Sequence, residues 1–412
     1  MASQMNNILT GSISKSNYRA LIWHGIFLSL ATNFMDIDTI IPSMLLNAGG
    51  NAFLLGILTT IMVGGSSLMQ IVFAGYLSNR TRKKKMLLLG INFRIISLFL
   101  LALILFRSGH GSNSILMLSI FILISVFSFS GSFANISYVD IIGKCIQDNK
   151  RKRFFSVKQT VGSVGILISA LIVRYLLKHL SYPDNYGILL LTAGGLLLVA
   201  SLGFWRIDEV IIAIKQRRKI REFLVRIPHN ISQDSNLKYY LLIINLLGLA
   251  FSFIPFMILY AKENFNFSFG LIGNILLFKV IGMFASSLVL YKRSKSFEYR
   301  NLLYFSFACG ASLPVLSLIF SNNLIAYQLI FILSGVFVTA FRIAKSGILV
   351  EISNNENRAA YTGISGAGSV LPAIFPLVAG TLISFLGYNI TFIVVSLFVF
   401  AGSIFIGKLR CK

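Results

Sequence analysis

The sequence predicts an all-α membrane protein, with twelve transmembrane helices in two pseudo-symmetric six-helix bundles. Three observations predict it. The 412 residues are 56% hydrophobic and only 12% charged, with a mean hydropathy of +0.80, which leaves too little polar surface for a soluble chain of this size. The apolar residues collect in runs of roughly 20, the length that crosses a bilayer. The cations alternate, with 31 of the 37 Lys and Arg falling at the termini and in every second gap between runs.

The runs cover about 21–46, 53–78, 86–106, 114–139, 158–177, 187–205, 238–261, 269–291, 301–320, 324–346, 361–384 and 388–407. The first is too long for a cleavable signal and carries Asp36 and Asp38, so it reads as a retained span. Lys15 and Arg19 precede it, and Arg80, Arg82, Lys83, Lys84 and Lys85 fill the second-to-third gap. Basic clusters follow in the fourth-to-fifth, sixth-to-seventh, eighth-to-ninth and tenth-to-eleventh gaps and in the C-terminal tail. The opposite side holds only Arg107, Lys178 and Lys262. This bias places both termini in the cytoplasm, in a cytoplasmic (plasma) membrane. The net charge of +24 therefore reads as orientation in a lipid bilayer, and no segment is long enough to be a soluble nucleic-acid-binding domain.

The longest connection, 207–237, separates an N-terminal bundle (1–206) from a C-terminal one (238–412). Ile207, Val210, Ile211, Ile214, Ile220, Leu224 and Ile227 recur at helical spacing between basic residues. That pattern predicts an amphipathic helix on the inner leaflet, or alternatively a docking site for a regulatory partner. The halves are weakly alike: Asp140, Arg153, Gly162 and Gly165 after the fourth span parallel Glu351, Arg358, Gly366 and Gly368 after the tenth. Repeated six-span units are a transporter architecture.

The second-to-third connection reads GYLSNRTRKKKMLLLG, from Gly75 to Gly90. It resembles the signature loop of the major facilitator superfamily (MFS), G-x-L-[AS]-D-R-x-G-R-[RK], with Gly75, Leu77, Ser78, Arg80, Lys83 and Lys84 on matching positions. Asn79 replaces the family's acid and Arg82 its second glycine. The resemblance implies a gate in which Arg80, on a loop opening with Gly75, meets Asp140 at the inner end of the fourth span; Arg82 to Lys85 read as an orientation signal. It also implies that spans 1, 4, 7 and 10 line the path. An Arg within the fourth span and a Gly-Pro pair in the fifth, both usual in the family's drug/proton antiporters, are missing.

Ionisable residues inside spans are costly and face a cavity or a partner. In the first span Ser29, Asn33, Asp36, Thr39 and Ser43 form a stripe at helical spacing, so Asp36 is expected to face the cavity. Asp38 points about 200° away on an unbroken helix and is expected to hydrate or pair locally. Ser125, Ser128, Ser132 and Asn135 mark the fourth span, Asn245 and Ser252 the seventh, and Gln328, Ser334 and Thr339 the tenth. Any single Ser can equally bond helix to helix, worth about 0.6 kcal/mol. Lys279, in the eighth span, matches Asp36 in depth, and the two are expected to share one cavity, as a charge pair or as the two ends of a substrate site. Asp36, Asn33, Lys279, Asn135 and Asn245 are therefore the candidate substrate- and proton-coupling residues. A structural contact with Gln70 is expected for Arg94, headgroup contact for Arg174 and an interfacial place for His24. The prolines and glycines of spans 7, 9 and 11 (Pro255, Pro314, Pro372, Pro376, Gly363, Gly366, Gly368) are compatible with helices that bend and pack closely.

No Walker sequence is present, and four scattered histidines and three cysteines offer neither a metal spacing nor an enzyme's cluster. Neither cofactor nor metal is expected. The sequence thus predicts a monomeric secondary active transporter of a small solute, proton-coupled through Asp36. A non-transporting sensor or a facilitative channel is the alternative, separated from it by saturable flux with counterflow.

Overall fold

Helices start where a short polar side chain satisfies amides that have no partner in the first turn. Thr10 accepts from Ile13 N to open α1 (Gly11–Thr32), Asn51 from Leu54 N to open α3 (Ala52–Thr60), and Asp234 from Asn236 N and Leu237 N to open α9 (Ser235–Asn264). The remaining helices of the computed structural model are α2 (Ile40–Asn47), α4 (Ser66–Ser78), α5 (Lys83–Arg107), α6 (Ser114–Cys145), α7 (Asp148–His179), α8 (Asp184–Trp205), α10 (Phe269–Lys292), α11 (Tyr299–Ile319), α12 (Leu324–Ile352) and α13 (Val370–Ala401). The structure describes residues 9–78, 80–108, 114–211, 231–265, 269–292, 298–352, 361, 364–366 and 368–409, and no strand occurs among them. The amphipathic pattern expected in the 207–237 connection falls mostly on 212–230, outside the described residues.

Among the described residues ten helical stretches are long and apolar enough to cross a membrane. The twelve expected spans map onto them with two differences. The fifth lies within α7, which starts on a basic run well before the apolar stretch and is not among the ten. The last two are separate helices that meet without a loop at Gly387, whose φ of 76° is outside the helical region, and so fall in one of the ten. A single left-handed glycine thus does the work of a loop. Spans 1 and 2 are interrupted as well. A 3-10 turn, Asn33–Met35, ends α1 before α2 begins, and a π turn, Ile61–Gly65, joins α3 to α4.

The chain divides into two units, the first comprising Met1–Met35, Leu68–Val173 and Tyr182–Phe223. In it α5 packs on α6 and α8, and α8 on α1. Glycines let the helices approach: Phe106 and Phe99 rings fill the space a side chain would take at Gly187 and Gly194, and the Ser29 hydroxyl fills that at Gly165. The second unit comprises Asp36–Ser67, Arg174–Ser181 and Leu224–Lys412. This grouping differs from a division at the linker, because α2 and α3 go with the C-terminal helices. The physical reason is backbone contact. A Cβ at Gly56 would lie 2.5 Å from the Pro376 carbonyl oxygen and one at Gly64 2.5 Å from that of Ala373, while Gly380 meets the Ala52 carbonyl. Within the same unit Gly282 meets the Ile332 carbonyl and Gly335 that of Lys279, so α10 and α12 touch at the turn that carries Lys279.

Candidate functional site

The interruption of span 1 builds the site. Residues 36–39 are not helical, and the amides at the start of α2 turn to Asp36. Its carbonyl accepts from Ile40 N (3.1 Å) and Ile41 N (3.0 Å). Its carboxylate Oδ1 accepts from Asp38 N (3.1 Å), Thr39 N (2.9 Å) and the Thr39 hydroxyl (2.8 Å). Pro42, in the first turn of α2, lacks the N–H that would otherwise go unpaired there.

Lys279 on α10 donates to Asp36 Oδ1 at 2.9 Å and Oδ2 at 3.0 Å, and to Asp38 Oδ2 at 2.9 Å. The ammonium is 3% exposed and the two carboxylates 11% and 7%. The structure thus brings Asp36 and Lys279 together and adds Asp38, which was expected to point away. The 200° argument fails because it assumes 100° per residue, and the chain is unwound between the two acids. Arg342 on α12 adds a weaker attraction on Asp38. One ammonium facing two carboxylates leaves the three-residue cluster short of one positive charge.

The asparagines serve as helix ties. Asn33 donates to the Ile166 carbonyl (2.5 Å) and Ser169 Oγ (3.0 Å) on α7. Asn245 donates to the carbonyls of Leu241 and Gly368, both at 2.7 Å, and accepts from Leu371 N at 2.9 Å, fixing α9 to the start of α13. Asn135 is exposed on α6. The serines expected to line a path bond mostly within their own helices: Ser125 to Phe121 O, Ser252 to Leu249 O and Ser334 to Phe331 O.

The two charges expected to meet at the gate each have another partner. Arg80 donates to Tyr76 OH at 2.9 Å and stacks on its ring. Asp140 pairs with Lys144 at 2.5 Å, one turn along α6, and Gly75 lies within α4. Sequence reasoning missed the partner of the neighbouring lysines. Glu209, just past α8, accepts from Lys83 N (2.5 Å) and Lys84 N (3.0 Å), so it caps α5 from the linker, and Lys84 Nζ reaches the Trp205 and Ile207 carbonyls at 2.8 Å. The acidic pair Asp208-Glu209 within an otherwise basic segment was the available signal.

Three further charged or titratable residues have these surroundings. Arg174, exposed on α7, donates to Asn274 Oδ1 on α10 at 2.6 Å, and Asn274 passes a bond to Gln328 at 3.2 Å. The Arg94 guanidinium lies 4.3 Å over the Phe127 ring; the Gln70 side chain lies outside the described residues. His24 is 3% exposed, with its ring 4.0 Å from that of Phe204, and so is buried rather than interfacial. Among the described residues no group of three or more His, Cys, Asp or Glu could hold a metal ion.

Interrupted apolar spans and a buried charge cluster are features a membrane transporter uses, and the family match decides the class as a transporter rather than an enzyme. The chain matches the Major Facilitator Superfamily over residues 22–252 and again over 240–410, and it belongs to that family. Solved structures share the fold at low identity. A POT family transporter in complex with a thioalcohol-conjugated peptide aligns over 95% of this chain and 96% of its own (TM-score 0.71, 12% identity). The nucleoside transporter NupG aligns over 96% and 100% (TM-score 0.67, 12% identity). A bacterial homologue of the human lysosomal transporter Spinster, inward-facing and unoccupied, aligns over 98% and 99% (TM-score 0.62, 11% identity). No curated protein matches the sequence.

Proposed function

We propose that the protein is a secondary active transporter of a small solute, working as a monomer by alternating access and driven by protons that titrate the Asp36–Asp38–Lys279 cluster. The observation that carries the reading is the uneven charge of that cluster: one buried ammonium within 3.0 Å of two carboxylates. With the carboxylates ionised, Lys279 holds the α2 end of span 1 to α10. A proton on either acid weakens that hold and lets the outer ends of the helices separate. The halves 1–206 and 238–412 rock about the 207–237 connection, with both termini on the cytoplasmic side of the plasma membrane as the Lys/Arg bias requires. Asn33 and Asn245 brace the moving helices, Asn135 is left for contact with the solute, and Arg80, Asp140 and Gly75 belong to the inner gate, where Arg80 reaches Asp140 only in the state in which that gate is shut.

A thermal-shift screen of metabolites on wild type, Asp36→Asn and Lys279→Ala identifies the solute as a hit lost in both variants. Uptake of that hit into proteoliposomes is then measured with and without an imposed proton gradient. The reading requires saturable, gradient-driven uptake in wild type that is lost in Asp36→Asn. Full gradient-driven uptake in the variants overturns the coupling role, flux without saturation or counterflow makes the protein a channel, and binding without flux makes it a sensor.

A further inference from the structure

The first unit holds two half-buried cations with no acid beside them among the described residues. Arg94 Nε has no hydrogen-bond partner and no access to solvent. The Phe127 ring beneath it supplies cation–π attraction but accepts no hydrogen bond from Nε. Lys158 on α7 donates to Tyr138 OH on α6 at 2.9 Å and lies over that ring. No acidic side chain among the described residues acts on either cation. The described acids of this unit (Asp140, Asp148, Asp184, Asp208 and Glu209) lie at or near helix ends or in the linker, and Asp140 is already taken by Lys144. His24 feels both cations. One of its ring nitrogens bonds the Ala200 carbonyl, and the other, Nδ1, is buried without a partner. Its ring centroid is 5.6 Å from that of Tyr138.

Buried charge persists when something compensates it, and here the described residues supply two aromatic faces and one phenol hydroxyl but no anion. We propose that His24, Arg94, Tyr138 and Lys158 form a site for a small organic anion, with one acidic group on Arg94 and a second on Lys158 and Tyr138. The spacing selects the class. The Arg94 guanidinium lies against Gly131 while Lys158 bonds Tyr138, and seven residues of α6 separate the two levels by about 10 Å. That is a span for a short dicarboxylate with its two hydrogen-bonded ends, and inorganic phosphate is too small to bridge it. Gly25, one residue from His24, leaves room for the Lys158 stem, since a Cβ there would lie 3.1 Å from Lys158 Cγ. Only the statement that this anion is cargo rests on the transporter reading; binding is tested without flux, so the two can fail separately.

The test is calorimetric titration of the full-length protein in uncharged detergent with succinate, acetate and inorganic phosphate, and with dioleoylphosphatidylglycerol in mixed micelles, each against sodium chloride of equal ionic strength. Succinate is expected to bind wild type more tightly than acetate or phosphate does. Arg94→Gln and Lys158→Gln are each expected to weaken succinate by about tenfold or more, the loss of one charge-assisted contact, while Arg94→Lys retains part of the affinity. If Arg94→Gln does not fold, Lys158→Gln and His24→Asn carry the comparison. The proposal is overturned if none of the three soluble anions binds more tightly than chloride, if the Gln variants bind succinate like wild type, or if only the phospholipid binds, which would make the cations a headgroup site.

Discussion

Replacing Lys279 by Met keeps the length of the side chain and removes its charge. Three contacts of 2.9–3.0 Å disappear, and two carboxylates, 11% and 7% exposed, are left facing each other. Removing one partner of a buried ion pair costs about 3–5 kcal/mol, because the other charge stays buried without compensation. Replacing the whole set by uncharged groups of similar shape is far less costly and often neutral. Lys279→Met is therefore expected to lose about 3–5 kcal/mol, and Lys279→Met with Asp36→Asn and Asp38→Asn to recover at least about 2 kcal/mol of that. Asn at position 36 keeps an oxygen for the Thr39 and Asp38 amides, so the start of α2 stays capped; Ala there adds a further cost of about 1 kcal/mol. Equilibrium unfolding in detergent of the single, triple and Ala-containing variants measures the cycle. A Lys279→Met protein within about 0.5 kcal/mol of wild type, below the range of a broken buried pair, or a triple variant less stable than the single, would refute the reasoning.

Three further outcomes are expected from the same unfolding assay. Asn245→Ala loses three hydrogen bonds and leaves Leu371 N and the Gly368 carbonyl without their partner, for about 2–3 kcal/mol; a loss under about 0.5 kcal/mol, less than one net hydrogen bond, would show that α13 is held elsewhere. Gly56→Ala places a methyl 2.5 Å from the Pro376 carbonyl and is expected to cost about 1–3 kcal/mol by prising α3 from α13, whereas Gly195→Ala, with open space around it, is expected to be neutral or stabilising. Gly387→Ala meets no neighbour, so its cost is purely that of φ 76° with ψ 175°, a region essentially confined to glycine, about 1–3 kcal/mol; Gly387→Asn is expected to cost as much.

Most of the fold was legible because a bilayer imposes a length and a sidedness on every element. The apolar runs and the Lys/Arg alternation placed the spans; α7 starts well before its apolar stretch, and the kink at Gly387 falls in the gap left between the last two. The candidate site was half legible. Asp36 and Lys279 stood out because charges in apolar runs need a reason. Asp38 was misjudged because periodicity describes an unbroken helix, and nothing in NFMDIDT announces the break that the Asp36 carboxylate caps. Asn33 and Asn245 were chosen for their place on a polar stripe, but a stripe does not tell a ligand contact from a tie between helices. Arg94, His24 and Lys158 were read one by one, as a helix contact, an interfacial group and part of an orientation cluster, and only the tertiary structure brings them near one another.

The central claim is that Lys279 and its two acids hold a closure that opens when their charge changes. It is tested by pulsed electron–electron resonance between spin labels at Phe53→Cys on α3 and Phe385→Cys on α13, both exposed, in a background with Cys145, Cys309 and Cys411 changed to Ser. The predicted result is a single short distance at neutral pH with the carboxylates intact, and a growing longer population in Asp36→Asn/Asp38→Asn and on acidification of the parent. A distance distribution that neither the double variant nor acid alters would contradict it.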